Sequence, residues 1–108
     1  MNDVFLQSSK SILGKKVFAN RDFKKGEIVV KYRLKKLTQA QFQKLPKTEK
    51  MATHVHSGLI YLYSSPERYV NHSTRPNTIQ DLDRTCDIAL RRIQKGDEIT
   101  TNSAKDDV

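Results

Sequence analysis

The chain has no tryptophan, one cysteine (Cys86), three prolines and four glycines in 108 residues. A lone cysteine excludes both an internal disulfide and a cysteine zinc cluster. No apolar run exceeds five residues, far short of the ~20 that a membrane helix needs, and Met1-Asn2-Asp3 opens no basic-then-apolar leader. These absences point to the cytoplasm, or to the nucleus in a eukaryote, with no membrane partner. Low-complexity tracts and visible linkers are missing as well, so residues 1–108 read as a single domain with one modest core. A chain this short buries roughly two-thirds of the surface that its unfolded form exposes, so its stability margin is slim. A homodimer would supply further burial.

Charge is plentiful and unevenly spread. The formal net charge is +8. Residues 1–54 hold thirteen Lys/Arg against four Asp/Glu, a net of +9, while residues 55–108 hold seven against eight. A basic half can steer nucleic acid or an acidic protein towards the molecule. The lysines fall as pairs (Lys15–Lys16, Lys24–Lys25, Lys35–Lys36) and form no recognition-helix stripe. Aromatic residues for base stacking are also sparse in that half. Nucleic acid is therefore not expected to be the main partner.

Short strand signals punctuated by glycine and proline dominate the pattern, which predicts a mostly β fold. Val4–Leu6, Val17–Ala19, Glu27–Tyr32, Leu59–Tyr63, Ile88–Leu90 and Glu98–Thr101 read as strands. The unbroken apolar run from Leu59 to Tyr63 suggests a strand covered on both faces. Thr38 with Gln41 three residues on forms a capping-box pattern, and Pro46 ends the helix that it starts. Helical propensity from Thr48 suggests a second turn or two, reaching as far as His54.

An internal echo recurs at an offset of 70: Ala19-Asn20-Arg21-Asp22-Phe23-Lys24-Lys25-Gly26-Glu27 against Ala89-Leu90-Arg91-Arg92-Ile93-Gln94-Lys95-Gly96-Asp97. Each copy reads as strand, arginine, one large apolar residue, Lys-Gly, acid, strand. Each glycine supplies positive φ for a turn with Phe23 or Ile93 tucked beneath it. Two copies make no solenoid; they predict two similar ribbons in one sheet-built domain.

The segment Glu67 to Thr78 carries the most chemistry. Asn71, His72, Ser73 and Asn77 provide donors and acceptors beyond what a simple connection needs. A His-Ser pair with no placed acid is not a hydrolase triad, and Asp81, Asp83 and Asp87 lack a nucleophile-elbow context. His54 and His56 have no third ligand at sensible spacing, so no metal site is expected.

Arg68-Tyr69-Val70-Asn71-His72-Ser73 followed by Pro76-Asn77 resembles the Arg-Phe/Tyr-x-Asn-His-Ser-Cys-x-Pro-Asn motif of SET-domain protein-lysine methyltransferases. Ser11-Ile12-Leu13-Gly14-Lys15-Lys16-Val17-Phe18-Ala19 resembles the family's opening Gly-x-Gly-x-x-Ala segment. Ile88 to Thr100 resembles its closing Ala-x-Arg-x-Ile-x-x-Gly-Glu-Glu-Ile/Leu-Thr segment. The resemblance covers roughly residues 4–105, with the three blocks in the family's order.

It implies several small curved sheets, one or two short helices in a central insert, and a pseudoknot-like crossing near the C-terminus. It also implies S-adenosylmethionine as cofactor and a protein with an accessible lysine as substrate. Carried over by position, backbone around Lys15, Lys16 and Val17 wraps the methionine half of the cofactor, and Arg68 and Tyr69 line the same pocket. Asn71 holds the amino-acid part and the His72 backbone the adenine edge. Tyr61 and Tyr63, alternating on one strand face, are expected first to pack in the core and are candidates for a lysine channel.

The chemistry so implied is in-line attack by an uncharged lysine amine. With an ordinary pKa of about 10.4, only on the order of one lysine in a thousand is uncharged near pH 7.4, so a desolvating channel and close alignment carry the rate. The sequence departs from the pattern where the family has a tyrosine. That position falls on Ser103, and no tyrosine follows Tyr69. Lys16 also replaces the second glycine, Thr74 stands where many relatives have cysteine, and a cysteine-rich tail is not expected from residues 104–108, which hold no cysteine. Three readings stay open: an active lysine methyltransferase, a catalytically degenerate SET domain that binds cofactor or protein, and a basic nucleic-acid binder.

Overall fold

In a computed structural model, which describes residues 3–10 and 14–102, ten short strands among the described residues form three small sheets, accompanied by two short helices and a 3-10 turn. β1 (Val4–Ser8) and β2 (Lys15–Ala19) make an antiparallel hairpin in which Val4 faces Ala19 and Ser8 faces Lys15. β3 (Ile28–Lys31) then leads to an insert made of β4 (Lys35–Leu37), α1 (Gln39–Gln43), α2 (Lys47–Lys50), β5 (Thr53–His56) and β6 (Leu59–Leu62). A short 3-10 turn (Glu67–Tyr69) precedes β7 (Asn71–His72), β8 (Thr78–Asp81), β9 (Cys86–Ala89) and β10 (Thr100–Thr101). The larger sheet runs β3-β9-β8-β10-β7, and the insert forms its own sheet, β4-β6-β5.

The insert shows how local signals compete with distant ones. Thr38 accepts from the Gln41 amide at 3.1 Å and Gln41 Oε1 accepts from the Thr38 amide at 2.9 Å, so the capping box forms as expected. Pro46 separates α1 from α2. The second helix is shorter than the local propensity suggests. It stops at Met51, and Thr53–His56 is instead a strand paired along β6, with His54 opposite Tyr61. Leu59 stays exposed at the start of β6, so the run from Leu59 to Tyr63 is only partly covered.

The repeated segments face one another about a local pseudo-two-fold axis. Phe23 and Ile93 exchange backbone hydrogen bonds at 2.8 and 2.9 Å, and each side chain is 1% exposed. Gly26 donates to Ala89 as Gly96 donates to Ala19, both at 2.8 Å. Within each turn the acid folds back: Glu27 accepts from the Lys24 amide at 2.8 Å, and Asp97 from the Gln94 amide at 2.9 Å. The Lys24 amide and nearby Arg21 hold the Glu27 carboxyl below its usual pKa, against desolvation. Both glycines sit at φ near +90° (+90° and +95°), where a β-carbon would be strained. The core of Val17, Ala19, Phe23, Val29, Val30, Tyr32, Ala89, Ile93 and Ile99 collects around this pair of ribbons.

The crossing is defined by β10. It lies between β7 and β8 and runs parallel to both, with Thr100 opposite Asn71 and Thr101 opposite His72 and Thr78. The connection from Ser73 to Asn77 must therefore pass across β10, strapping the C-terminal segment into the sheet. No helix among the described residues is long and apolar enough to cross a membrane.

Candidate active site

The strap is held by side chains of the Asn-His-Ser loop. Asn77, 8% exposed, donates from Nδ2 to the Glu98 carbonyl at 2.8 Å and accepts from the Thr100 amide at 2.9 Å. Thr78 Oγ1 donates to the Thr100 carbonyl at 2.8 Å, and the Ser73 amide donates to the Thr101 carbonyl at 2.8 Å. On the other flank the Ile99 amide donates to the Val17 carbonyl at 2.8 Å, and Phe18 bridges Glu98. Two sequence blocks far apart in the chain thus converge on residues 97–101.

At that convergence sits a small charged cluster. The half-buried Glu98 carboxylate receives the Asn71 amide on Oε2 at 2.9 Å, and Lys16 Nζ approaches its Oε1 at 3.7 Å. Lys15 Nζ stands 5.4 Å above the centre of the Tyr69 ring. The structure therefore brings Lys15, Lys16, Tyr69 and Asn71 together, with His72 exposed alongside. Val17 belongs to the core, with no exposed surface, and offers only backbone.

Arg68 spans the loop and the insert. Its guanidinium donates twice to the Tyr63 carbonyl, at 3.0 and 2.7 Å, and to Glu49 at 2.6 Å, tying the insert to the loop. Ser103 lies outside the described residues. Glu98 was not foreseen as a site residue. Its signal was its place in the Gly-Asp-Glu block, but the pairing with Asn71 arises across 27 residues of chain.

Tyr61 and Tyr63 do share a face, and His54 joins them there. Its ring lies 5.8 Å from Tyr61 and 4.7 Å from Tyr63, both stacked. Tyr63 meets Tyr32 edge-on at 5.7 Å, and its hydroxyl stands 3.5 Å from Gln80 Nε2. Tyr63 therefore packs against the core while its hydroxyl reaches the β8 face. Among the described residues no three His, Cys, Asp or Glu side chains gather as a metal site.

Behind this face the Tyr32 hydroxyl donates to the buried Asp87 carboxylate. Burial, and after it the Asp87 charge, push the Tyr32 hydroxyl far above its usual pKa of 10. A raised folded-state pKa means that the stabilisation is complete below the unfolded pKa and is lost as pH rises beyond it. Stability should therefore fall above about pH 10, by about 1.4 kcal/mol per pH unit from this group. Urea midpoints at pH 9, 10 and 11 should drop less steeply in Tyr32→Phe than in the wild type. Equal slopes would show that Tyr32 ionises as freely in the folded chain as in the unfolded one.

The fold, strap and charged cluster define a small SET-type β domain. The SET-domain family model matches residues 14–102, and the chain belongs to that family. Among solved structures it is similar to a Plasmodium falciparum protein named as a candidate histone methyltransferase. The two are 21% identical, with a TM-score of 0.72 over 94% of this chain and 93% of that one. A likeness at that identity shows the shared fold. No curated protein matches the chain.

Proposed function

We propose that the chain binds S-adenosylmethionine at the Glu98 cluster and transfers a methyl group to a protein lysine. The observation that carries this reading is the Glu98 carboxylate held between the Lys16 ammonium and the Asn71 amide, beside Lys15 and Tyr69. The donor set fits a zwitterionic nucleoside. Glu98 complements the cationic amino group, and Lys15 and Lys16 complement a carboxylate. The Tyr69 ring and the β7 edge at His72 offer a flat surface for a purine. S-adenosylmethionine, when bound, supplies an electrophilic methyl group on a positively charged sulfur.

The chain's own residues have two tasks. The cluster orients a charged ligand, and the aromatic face of Tyr61, Tyr63 and His54 excludes water from an incoming side chain. An amine desolvated against aromatic walls and beside a cation is favoured in its uncharged, nucleophilic form. Alignment then supplies most of the rate.

A second reading, binding without transfer, is favoured by one fact: no tyrosine follows Tyr69. Two measurements test the pair. Calorimetric titration with S-adenosylmethionine should give saturable heat, and silence at high micromolar cofactor would overturn both readings. Methyl counting by mass spectrometry on basic proteins should show slow transfer by the wild type. Ser103→Tyr should raise it by on the order of 10²–10³, the usual worth of one oriented active-site group. Transfer by the variant alone would establish the second reading.

A further inference from the structure

A cleft of about 940 Å³ lies away from the Glu98 cluster and is lined by β1, β3, Asn20, Arg33 and the Ser65-Pro66 corner. Both bordering strands are sheet edges. β1 pairs only with β2, and β3 only with β9, among the described residues. In the β1–β2 hairpin the Asn20 amide donates to the Asp3 carbonyl and the Ser9 amide to Gly14, so the odd-numbered residues of β1 turn their backbone groups inward. By the alternation of an antiparallel ladder, Val4 and Leu6 turn theirs outward. On β3 the Tyr32 amide donates to Thr85, so Lys31 and Arg33 turn outward. Arg33 is already capped: its amide donates to Glu67 at 2.6 Å and its carbonyl accepts from Ser64 at 2.7 Å. Val4, Leu6 and Lys31 are left presenting backbone donors and acceptors to one cleft.

The side chains there select a partner. Phe5 and Ile28, 39% and 36% exposed, give it apolar surface. Asp3 is paired with Arg21 at 3.2 Å, whereas Lys31 and Arg33 are exposed and have no acidic partner among the described residues. A lysine on a free edge discourages pairing with a neutral or like-charged strand. Two copies of this chain meeting here would bring these cations together.

We propose that this cleft docks an extended peptide segment with alternating acidic and apolar residues. The segment adds as a strand to the open edges while its acids meet Lys31 and Arg33. This is a partner site independent of methyl transfer.

The test is fluorescence anisotropy with a labelled Glu-Val-Glu-Val-Glu-Val peptide, its lysine counterpart and a version N-methylated at alternate backbone nitrogens. The acidic peptide should bind, and Lys31→Glu/Arg33→Glu should weaken it at least tenfold while leaving the circular dichroism spectrum unchanged. The N-methylated peptide, equal in charge, should lose as much. Absence of binding at millimolar peptide, indifference to the double variant, or equal affinity for the N-methylated peptide would each overturn the proposal. So would sedimentation showing that wild type, but not the double variant, dimerises through this edge.

Discussion

Asn77→Ala is expected to lower the free energy of unfolding by about 2–6 kcal/mol, the sum for two part-buried backbone groups losing their partners at roughly 1–3 kcal/mol each. The groups are the Glu98 carbonyl and the Thr100 amide, which flank Ile99 and face the Asn77 side chain at 2.8 and 2.9 Å. Alanine supplies neither a donor nor an acceptor, and Asn77 is too buried for water to replace them freely. A domain of this size has only about 5–15 kcal/mol in total, so the loss is a large share. Thr78→Val removes one bond to the same strand, the 2.8 Å contact to the Thr100 carbonyl, and should cost only about 1 kcal/mol.

Urea unfolding gives both numbers, and hydrogen exchange locates them. The Ser73 amide, bonded to the Thr101 carbonyl, should exchange far faster in Asn77→Ala than amides of the Phe23–Ile93 ribbons. A cost below 1 kcal/mol, or unchanged protection at Ser73, would mean that β10 is retained by backbone pairing alone.

The parts of this architecture that could be read from sequence were those whose signal is local. The two Lys-Gly ribbons declare themselves because each turn is closed by its own acid and its own glycine. The Thr38–Gln41 cap closes within one helical turn. β5 went unseen because Thr48–Ala52 favours a helix, while the strand at Thr53–His56 exists through pairing with β6. β7 is two residues long and is created by parallel pairing with a distant segment, which leaves no periodicity to detect, whereas β10 falls at the end of the expected Glu98–Thr101 strand.

The site divides in the same way. Asn71, His72 and Asn77 stood out as a polar loop. Their tasks did not, because what Asn77 holds and what Asn71 touches depend on where residues 98–100 arrive. Arg68 is a like case: its place in a motif suggested a pocket wall, and the bonds of its guanidinium to Tyr63 and Glu49 could not be read there because they depend on where the insert packs. A motif reports which residues belong together; only the crossing decides which face each one presents.

Glu98→Gln separates charge from shape at the cluster and should weaken S-adenosylmethionine binding by about 10–100-fold. Glutamine keeps an oxygen for the Asn71 amide, now 2.9 Å from Oε2, so the loop has no reason to move. The half-exposed Lys16–Glu98 pair at 3.7 Å contributes little to stability. The urea midpoint should therefore stay within the equivalent of about 0.5 kcal/mol of wild type. A cationic ligand, by contrast, loses a charge-assisted contact worth about 1.5–3 kcal/mol, which sets the affinity change. It also meets Lys16 without its counter-ion.

That second effect can be isolated. Lys16→Met/Glu98→Gln should bind more tightly than Glu98→Gln alone if the freed ammonium repels the ligand. Methyl transfer, where present, should suffer mainly in KM for cofactor, because Glu98 contributes to binding rather than to the reacting atoms. Calorimetry on the three proteins is sufficient. Wild-type affinity retained by Glu98→Gln would leave the carboxylate as a structural tie between β7 and the strand it straps, and the cofactor would have to be sought on another face.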